Sequence, residues 1–379
     1  MSRAVTAILA AAFGAVLLLT VLELLLRLLP VQNGIAAGDP SVEWPTHRLV
    51  SDVHYTFSDA WDLRNVHRGV TNNMGYVAPF AYVPGTDAIA VVGNSFIEAL
   101  MDRYQDTLQG QLAQDVHDAP AILNFGSSGA SLPDYIGLGP MVSGRFHVRW
   151  VVILVVGGDF VKGFTPQPGF FGWRAAATPP VELRPDHVRT GAMRLVRSLA
   201  IVRYVRGNLE FDMRHFLHTS VKGAPQACVR QGLQPGDVDL LAAYADSLPA
   251  AYGLPPSRVI LVFDSDRAEL YRSYGASTES TCPTRDDLAL HELAEAAANR
   301  GEHVINMEPI FAAYFRSTGR RLDYSPLDYH WNAVAHRLAA AQVARVINRA
   351  TSTPGSVGTA YTASTAAGQS ASRDSRGRP

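Results

Sequence analysis

The run Trp150-Val-Val-Ile-Leu-Val-Val156 constrains the fold more than any other part of the chain. It has the length of a strand and no polar position, so it must be covered on both faces. Similar short runs are Ala88-Ile-Ala-Val-Val92, Pro120-Ala-Ile-Leu123, Arg258-Val-Ile-Leu-Val-Phe263 and His303-Val-Ile-Asn306. Between and after them, helical patterns are expected over 100–116, 133–141, 237–252, 286–300 and 331–348. Buried strands alternating with helices predict an α/β domain, a doubly wound, flavodoxin-like parallel sheet, over residues 87–350. Residues 160–227 hold no clear core strand and read as an insertion after the third strand, with an Arg-rich amphipathic helix over 193–216. In such sheets the ligand crevice lies beyond the strand C-termini.

The N-terminus sets the expected compartment. Residues 4–22 carry no charge and no proline. A helix of roughly 20 apolar residues spans a bilayer. Glu23 and Arg27 follow at i, i+4, where they can pair near the interface, and Pro30 ends the helix. Residues 1–30 therefore read as a cytoplasmic stub and transmembrane anchor. Arg3 places the short end in the cytoplasm and the main domain outside it, in a periplasm or at the cell exterior. A cleaved signal peptide is the alternative, with Gly34-Ile35-Ala36 as its cleavage site. Residues 31–86 are rich in Pro, Gly, Asn and Asp and read as linker and N-terminal extension; residues 351–379 read as a disordered tail.

Composition excludes some functions. Net charge is −1 at pH 7, so no global field favours nucleic acid. Cys228 and Cys282 are too few for a disulfide scaffold; they form either one bridge or two buried thiols. There is no phosphate-binding loop, no dinucleotide fingerprint and no cluster with metal-ligand spacing, so neither a cofactor nor a metal is expected.

Several polar residues fall where strands end. Gly93-Asn94-Ser95-Phe96 follows the first strand. A serine at a strand-to-helix turn exposes its hydroxyl near the helix N-terminus, although on its own Ser95 could simply cap that helix. Asn124-Phe-Gly-Ser-Ser-Gly129 follows the second strand and Gly157-Gly158-Asp159-Phe160 the third. Late in the chain comes Asp323-Tyr-Ser-Pro-Leu-Asp328-Tyr-His330-Trp-Asn332. An Asp two residues before a His can fix the imidazole's tautomer. Ser95, His330 and Asp328 together supply nucleophile, base and orienting acid.

In order and spacing, these blocks resemble the SGNH hydrolases, the GDSL-like lipase/esterase superfamily, over residues 93–332. The branch they most resemble is the membrane-anchored bacterial one, with Leu22-Glu-Leu-Leu-Leu-Arg-Leu-Leu-Pro30 before the domain and Asp328-Tyr-His-Trp-Asn332 at its end. Thr71-Asn-Asn-Met-Gly-Tyr76 is similar to an element that precedes the first block there. The resemblance implies that Ser95 is the nucleophile, His330 the base and Asp328 its orienting partner, and that the N–H groups of Ser95 and Gly129 bind the oxyanion. The family's third donor is an Asn side chain. Here either Gly158 or Asp159 stands in its place, and neither has a side chain that donates when Asp is ionised. Losing one such donor typically costs about 10²–10³ in rate.

The expected function is an extracytoplasmic acyl-ester hydrolase or O-acyltransferase. Its expected partners are an acylated small molecule or cell-surface polysaccharide and the membrane, with no nucleic acid. The alternative is a catalytically weak scaffold of the same fold that binds glycan or partner proteins in an envelope assembly.

Overall fold

The fully apolar runs lie at the centre of a five-stranded parallel sheet in a computed structural model of the chain, which describes residues 3–117, 120–188, 190–209, 232–275, 284–324 and 328–352. An antiparallel hairpin, β1 (His54–Asp59) and β2 (Arg64–Val70), precedes the sheet. The sheet begins with β3 (Asp87–Gly93), β4 (Ala121–Gly126) and β5 (His147–Val155). A short hairpin, β6 (Phe171–Trp173) and β7 (Val181–Leu183), intervenes before β8 (Val259–Phe263) and β9 (His303–Asn306) complete the sheet. A last hairpin, β10 (Asp323–Tyr324) and β11 (Asp328–Trp331), leads into the C-terminal helix Ala333–Ser352.

The spatial order is β4-β3-β5-β8-β9, with every neighbouring pair parallel. Numbered by order along the chain, these strands run 2-1-3-4-5, the flavodoxin-like doubly wound order, with its switch point between β3 and β5. Alternate residues serve opposite faces. Ala88, Ala90, Val92, Val151, Ile153 and Leu261 pack beneath the helices Asp237–Ala251 and Arg285–Asn299. Ile89, Val91, Val152, Leu154 and Ile260 pack against Leu108–Asp115, Glu308–Thr318 and the C-terminal helix. Both faces are covered, which is why the strands need no polar alternation.

Several helix boundaries differ from the sequence expectation for local reasons. The helix expected over 100–116 begins only at Leu108, because the Thr107 hydroxyl accepts the Gly110 N–H (3.2 Å) as its N-cap. The pattern over 133–141 divides into Leu132–Gly137 and Gly139–Ser143, with Pro140 in the first turn of the second piece. Trp331 is the end of β11, and Asn332 caps the last helix by accepting the N–H groups of Val334 (3.0 Å) and Ala335 (3.3 Å).

Residues 31–86 are built into the fold. Trp44, Met74, Tyr76 and Tyr82 are buried in the same core as Ala90, Val92 and Phe125. The Trp44 indole N–H donates to the Tyr76 hydroxyl (2.9 Å), and the Tyr82 hydroxyl donates to the Asn124 carbonyl (2.9 Å). Isolated aromatics carry no periodicity, so this packing left no pattern in the sequence beyond their presence. Residues 3–28 form one helix, about 39 Å long at 1.5 Å per residue, whose side chains are largely exposed. By length and composition it can cross a membrane. Cys228, Cys282 and residues 210–231 and 353–379 lie outside the described residues, and with them the choice between one bridge and two buried thiols and the tail expected over 351–379.

Trp44→Ala should cost about 3–5 kcal/mol of unfolding free energy, the range for deleting a buried aromatic. Trp61→Ala, on an exposed side chain (72%), should change it by less than about 0.5 kcal/mol. Denaturant unfolding of the full chain in detergent measures both. Equal, small effects would contradict a structural role for residues 31–86.

Candidate active site

Ser95 opens a single helical turn, Ser95–Glu98, directly after β3. The turn packs on the end of β4 because residue 126 is glycine: a Cβ there would lie 2.2 Å from the backbone nitrogen of Glu98. Asn94 fixes the entry to the turn. Its side-chain oxygen accepts the Phe96 N–H (3.0 Å), and its amide donates to Asp159 (3.0 Å). The Ser95 side chain is left partly exposed at the sheet's C-terminal edge.

His330 reaches the same edge from β11. Its Nε2 lies 2.7 Å from Ser95 Oγ, and its Nδ1 lies 2.5 Å from Asp328 Oδ1. The same carboxylate oxygen accepts the His330 backbone N–H (2.9 Å). Burial pushes the Asp328 carboxyl up, but the hydrogen bond and charge of His330, with the N–H groups of His330 and Tyr329, outweigh it and hold the group below the usual carboxylate range. Asp323, the other acid in this segment, lies 3.0 Å from Arg321 and 3.5 Å from Arg267.

The hairpin is anchored from below. Arg267 is buried and reaches both oxygens of Asp264 (2.5 Å each) and the Tyr329 carbonyl (2.5 Å). Asp264 also accepts the Trp331 indole N–H (2.8 Å). The Arg267 guanidinium sits 5.5 Å from the Phe96 ring centre, and that ring lies 4.7 Å from the imidazole centre. The strand carrying His330 and the turn carrying Ser95 thus share one support.

The three residues expected at the oxyanion or substrate position separate in the structure. Gly129 has φ +94°, a left-handed conformation favoured by glycine, and lies beside the Phe170 ring. Its N–H and that of Ser95 donate to no other described residue. The Gly158 N–H donates to Asp286, which also accepts the N–H groups of Phe160 (3.0 Å) and Val161 (2.9 Å). Asp159 is wholly buried: one oxygen accepts from Asn94, the other from the Tyr135 hydroxyl (2.8 Å) and the Val156 N–H (3.0 Å). It is a tether between strand ends. The space beside Gly158 is taken by Lys162, whose Cε and Nζ would lie 3.2 and 3.4 Å from a Cβ there.

Sequence reasoning missed Glu98. Its carboxylate accepts the Ser128 hydroxyl, next to Gly129, and burial pushes it up to about 7 against that hydrogen bond. The available signal was an acid within the otherwise apolar Phe96-Ile-Glu-Ala-Leu-Met101. Asp264 and Arg267 were also missed, because their role depends on a hairpin more than 55 residues later.

No protein-family model matches this sequence, and no curated protein matches it. Among solved structures it is similar to the lipase/acylhydrolase from Enterococcus faecalis, at 14% identity and TM-score 0.37, covering 70% of this chain and 96% of that one. It is also similar to a member of the lipolytic G-D-S-L family from Veillonella parvula, at 11% identity and TM-score 0.31, covering 69% and 99%. An acetyl-xylooligosaccharide esterase from Geobacillus stearothermophilus gives 12% identity and TM-score 0.35, covering 70% and 95%.

The buried acids predict a pH dependence of stability. Burial raises Glu98, Asp134 and Asp159 to about 7 and Glu302 to about 8. The folded chain therefore holds protons that the unfolded chain releases above its ordinary carboxyl range. The stabilisation is complete below that range and is lost as pH rises through about 7 to 8. The melting temperature should fall steadily between about pH 5.5 and pH 8.5, less steeply in Glu98→Gln. A melting temperature that rises across this window would contradict the assignment.

Proposed function

We propose that this chain is a membrane-anchored serine acyl-ester hydrolase or O-acyltransferase of the SGNH type. The observation that carries the reading is the continuous line of hydrogen bonds from Ser95 Oγ through His330 to Asp328. With its imidazole neutral, His330 takes the proton from Ser95 as Oγ attacks the ester carbonyl. Asp328 holds the imidazole with Nε2 toward the serine and stabilises the imidazolium that forms. The tetrahedral oxyanion is received by the N–H groups of Ser95 and Gly129. His330 then gives the proton to the departing alcohol oxygen, leaving an acyl group on Ser95. Water or an acceptor hydroxyl, deprotonated by the same imidazole, releases it.

Gly158 and Asp159 do not supply a third oxyanion donor in this reading, since one N–H and one carboxylate are already engaged elsewhere. We assign that role to the Lys162 ammonium, which takes the space beside Gly158. The substrate class is an O-acyl ester, with acetyl groups on a cell-surface polysaccharide as the instance to test first. The apolar helix over residues 3–28 is read as the anchor in an inner or plasma membrane, with the α/β domain over 87–350 on the periplasmic or extracellular side.

Hydrolysis of p-nitrophenyl acetate by the full chain in detergent tests the chemistry. Ser95→Ala and His330→Ala should each lower kcat/KM by about 10³-fold or more, and Asp328→Asn by about 10²–10⁴. Lys162→Met should lower kcat by about 10–10² with little change in KM. Equal activity in wild type, Ser95→Ala and His330→Ala would overturn the proposal in favour of a binding scaffold.

A further inference from the structure

One cavity among the described residues has neither Ser95 nor His330 nor Asp328 in its lining. It is a groove of about 720 Å³ between the chain at 32–51 and the helical segment at 194–207. Five arginines line it, Arg48, Arg194, Arg197, Arg203 and Arg206, with Asp39 as the one acid among its lining residues. Asp39 lies 3.7 Å from Arg194, and Arg203 donates to Asn33. Five guanidiniums and one carboxylate line the groove, with the Glu23 charge also acting on Arg203, and guanidinium forks of this kind suit phosphate oxygens.

Its place in the fold narrows the ligand. The groove sits at the end of the apolar N-terminal helix, where Glu23 accepts the N–H groups of Ala200 (2.9 Å) and Ile201 (3.0 Å). Leu26, Val31 and Ala200 are buried together at this junction. Residues 4–22 are about as long, as a helix, as the roughly 30 Å hydrocarbon core. Glu23 and Arg27 then fall at headgroup level, and the helix Gly191–Ser198 beside them is brought to the same depth.

That short helix is two-faced. At 100° per residue, Arg197, Arg194 and Ser198 fall on one arc, and all three line the groove. Met193, Leu195, Val196 and the following Leu199 fall on the opposite arc and are 48%, 69%, 52% and 37% exposed. A soluble polyanion would account for the arginines but not for the row of apolar side chains beside the anchor.

We propose that the arginine-lined groove binds phosphate headgroups of anionic membrane lipids, while Met193, Leu195, Val196 and Leu199 enter the interface next to the anchor. The proposal rests on the anchor reading given above. A two-point attachment would fix the orientation of the domain on the bilayer and the direction in which Ser95 faces.

Amide hydrogen exchange of the full chain in nanodiscs tests it. Discs of phosphatidylcholine are compared with discs containing about 30% phosphatidylglycerol. Residues 191–206 should exchange about tenfold more slowly in the anionic discs. Replacing Arg194, Arg197 and Arg206 together by Gln should abolish that difference, with p-nitrophenyl acetate hydrolysis unchanged. Equal exchange in the two discs, with the anchor intact by mass, would overturn the proposal and leave the anchor reading standing. Equal protection by inorganic phosphate in detergent would also overturn it, identifying a free-anion site. A mature chain lacking residues 1–30 would overturn the anchor reading and this proposal with it.

Discussion

The buried carboxyl of Asp159 is the interaction on which the site's geometry depends. It receives the Asn94 amide from the turn after β3, the Tyr135 hydroxyl from the helix after β4, and the Val156 N–H at the end of β5. Three neighbouring strand ends are thereby held in one arrangement. A buried carboxyl without such donors is costly, so these contacts specify the positions of the groups that make them. Ser95 is placed through Asn94, and Gly129 lies in the loop that leads to the helix bearing Tyr135.

A buried arginine places the opposing half of the site. Arg267 joins Asp264, at the end of β8, to the Tyr329 carbonyl, the residue before His330. The hairpin that carries Asp328 and His330 has only two short strands and little sheet of its own. Its orientation comes from this buried arginine and from Trp331, which packs in the core and donates to Asp264. The arrangement explains how residues 235 apart in sequence come within 2.7 Å of each other.

The sheet was legible because its strands are continuous apolar runs, a pattern few other structures require. The candidate site was legible where polar residues follow a strand end: Ser95 after β3, and the Asp328 and His330 pair two residues apart. Asp159 was visible only as a departure from the pattern that the sequence resembles, and Asn94 only as a polar residue after a strand end. Their pairing depends on two strand ends meeting, which no local spacing encodes. The aromatic packing of residues 31–86 was hidden for a similar reason: Trp44, Tyr76 and Tyr82 contact the sheet singly, without period. Glu98 showed that one acid among apolar residues is worth weighing, since burial there requires a partner, in this case Ser128.

The central claim is that Ser95 is a nucleophile activated by His330. A fluorophosphonate probe tests this directly, because an activated serine oxygen displaces fluoride from phosphorus and keeps the phosphonyl group. Peptide mass spectrometry of the labelled full chain should find the adduct on Ser95, and His330→Ala should lose it while remaining folded. No adduct on Ser95 in the folded wild-type chain, or an equal adduct in His330→Ala, would contradict the account.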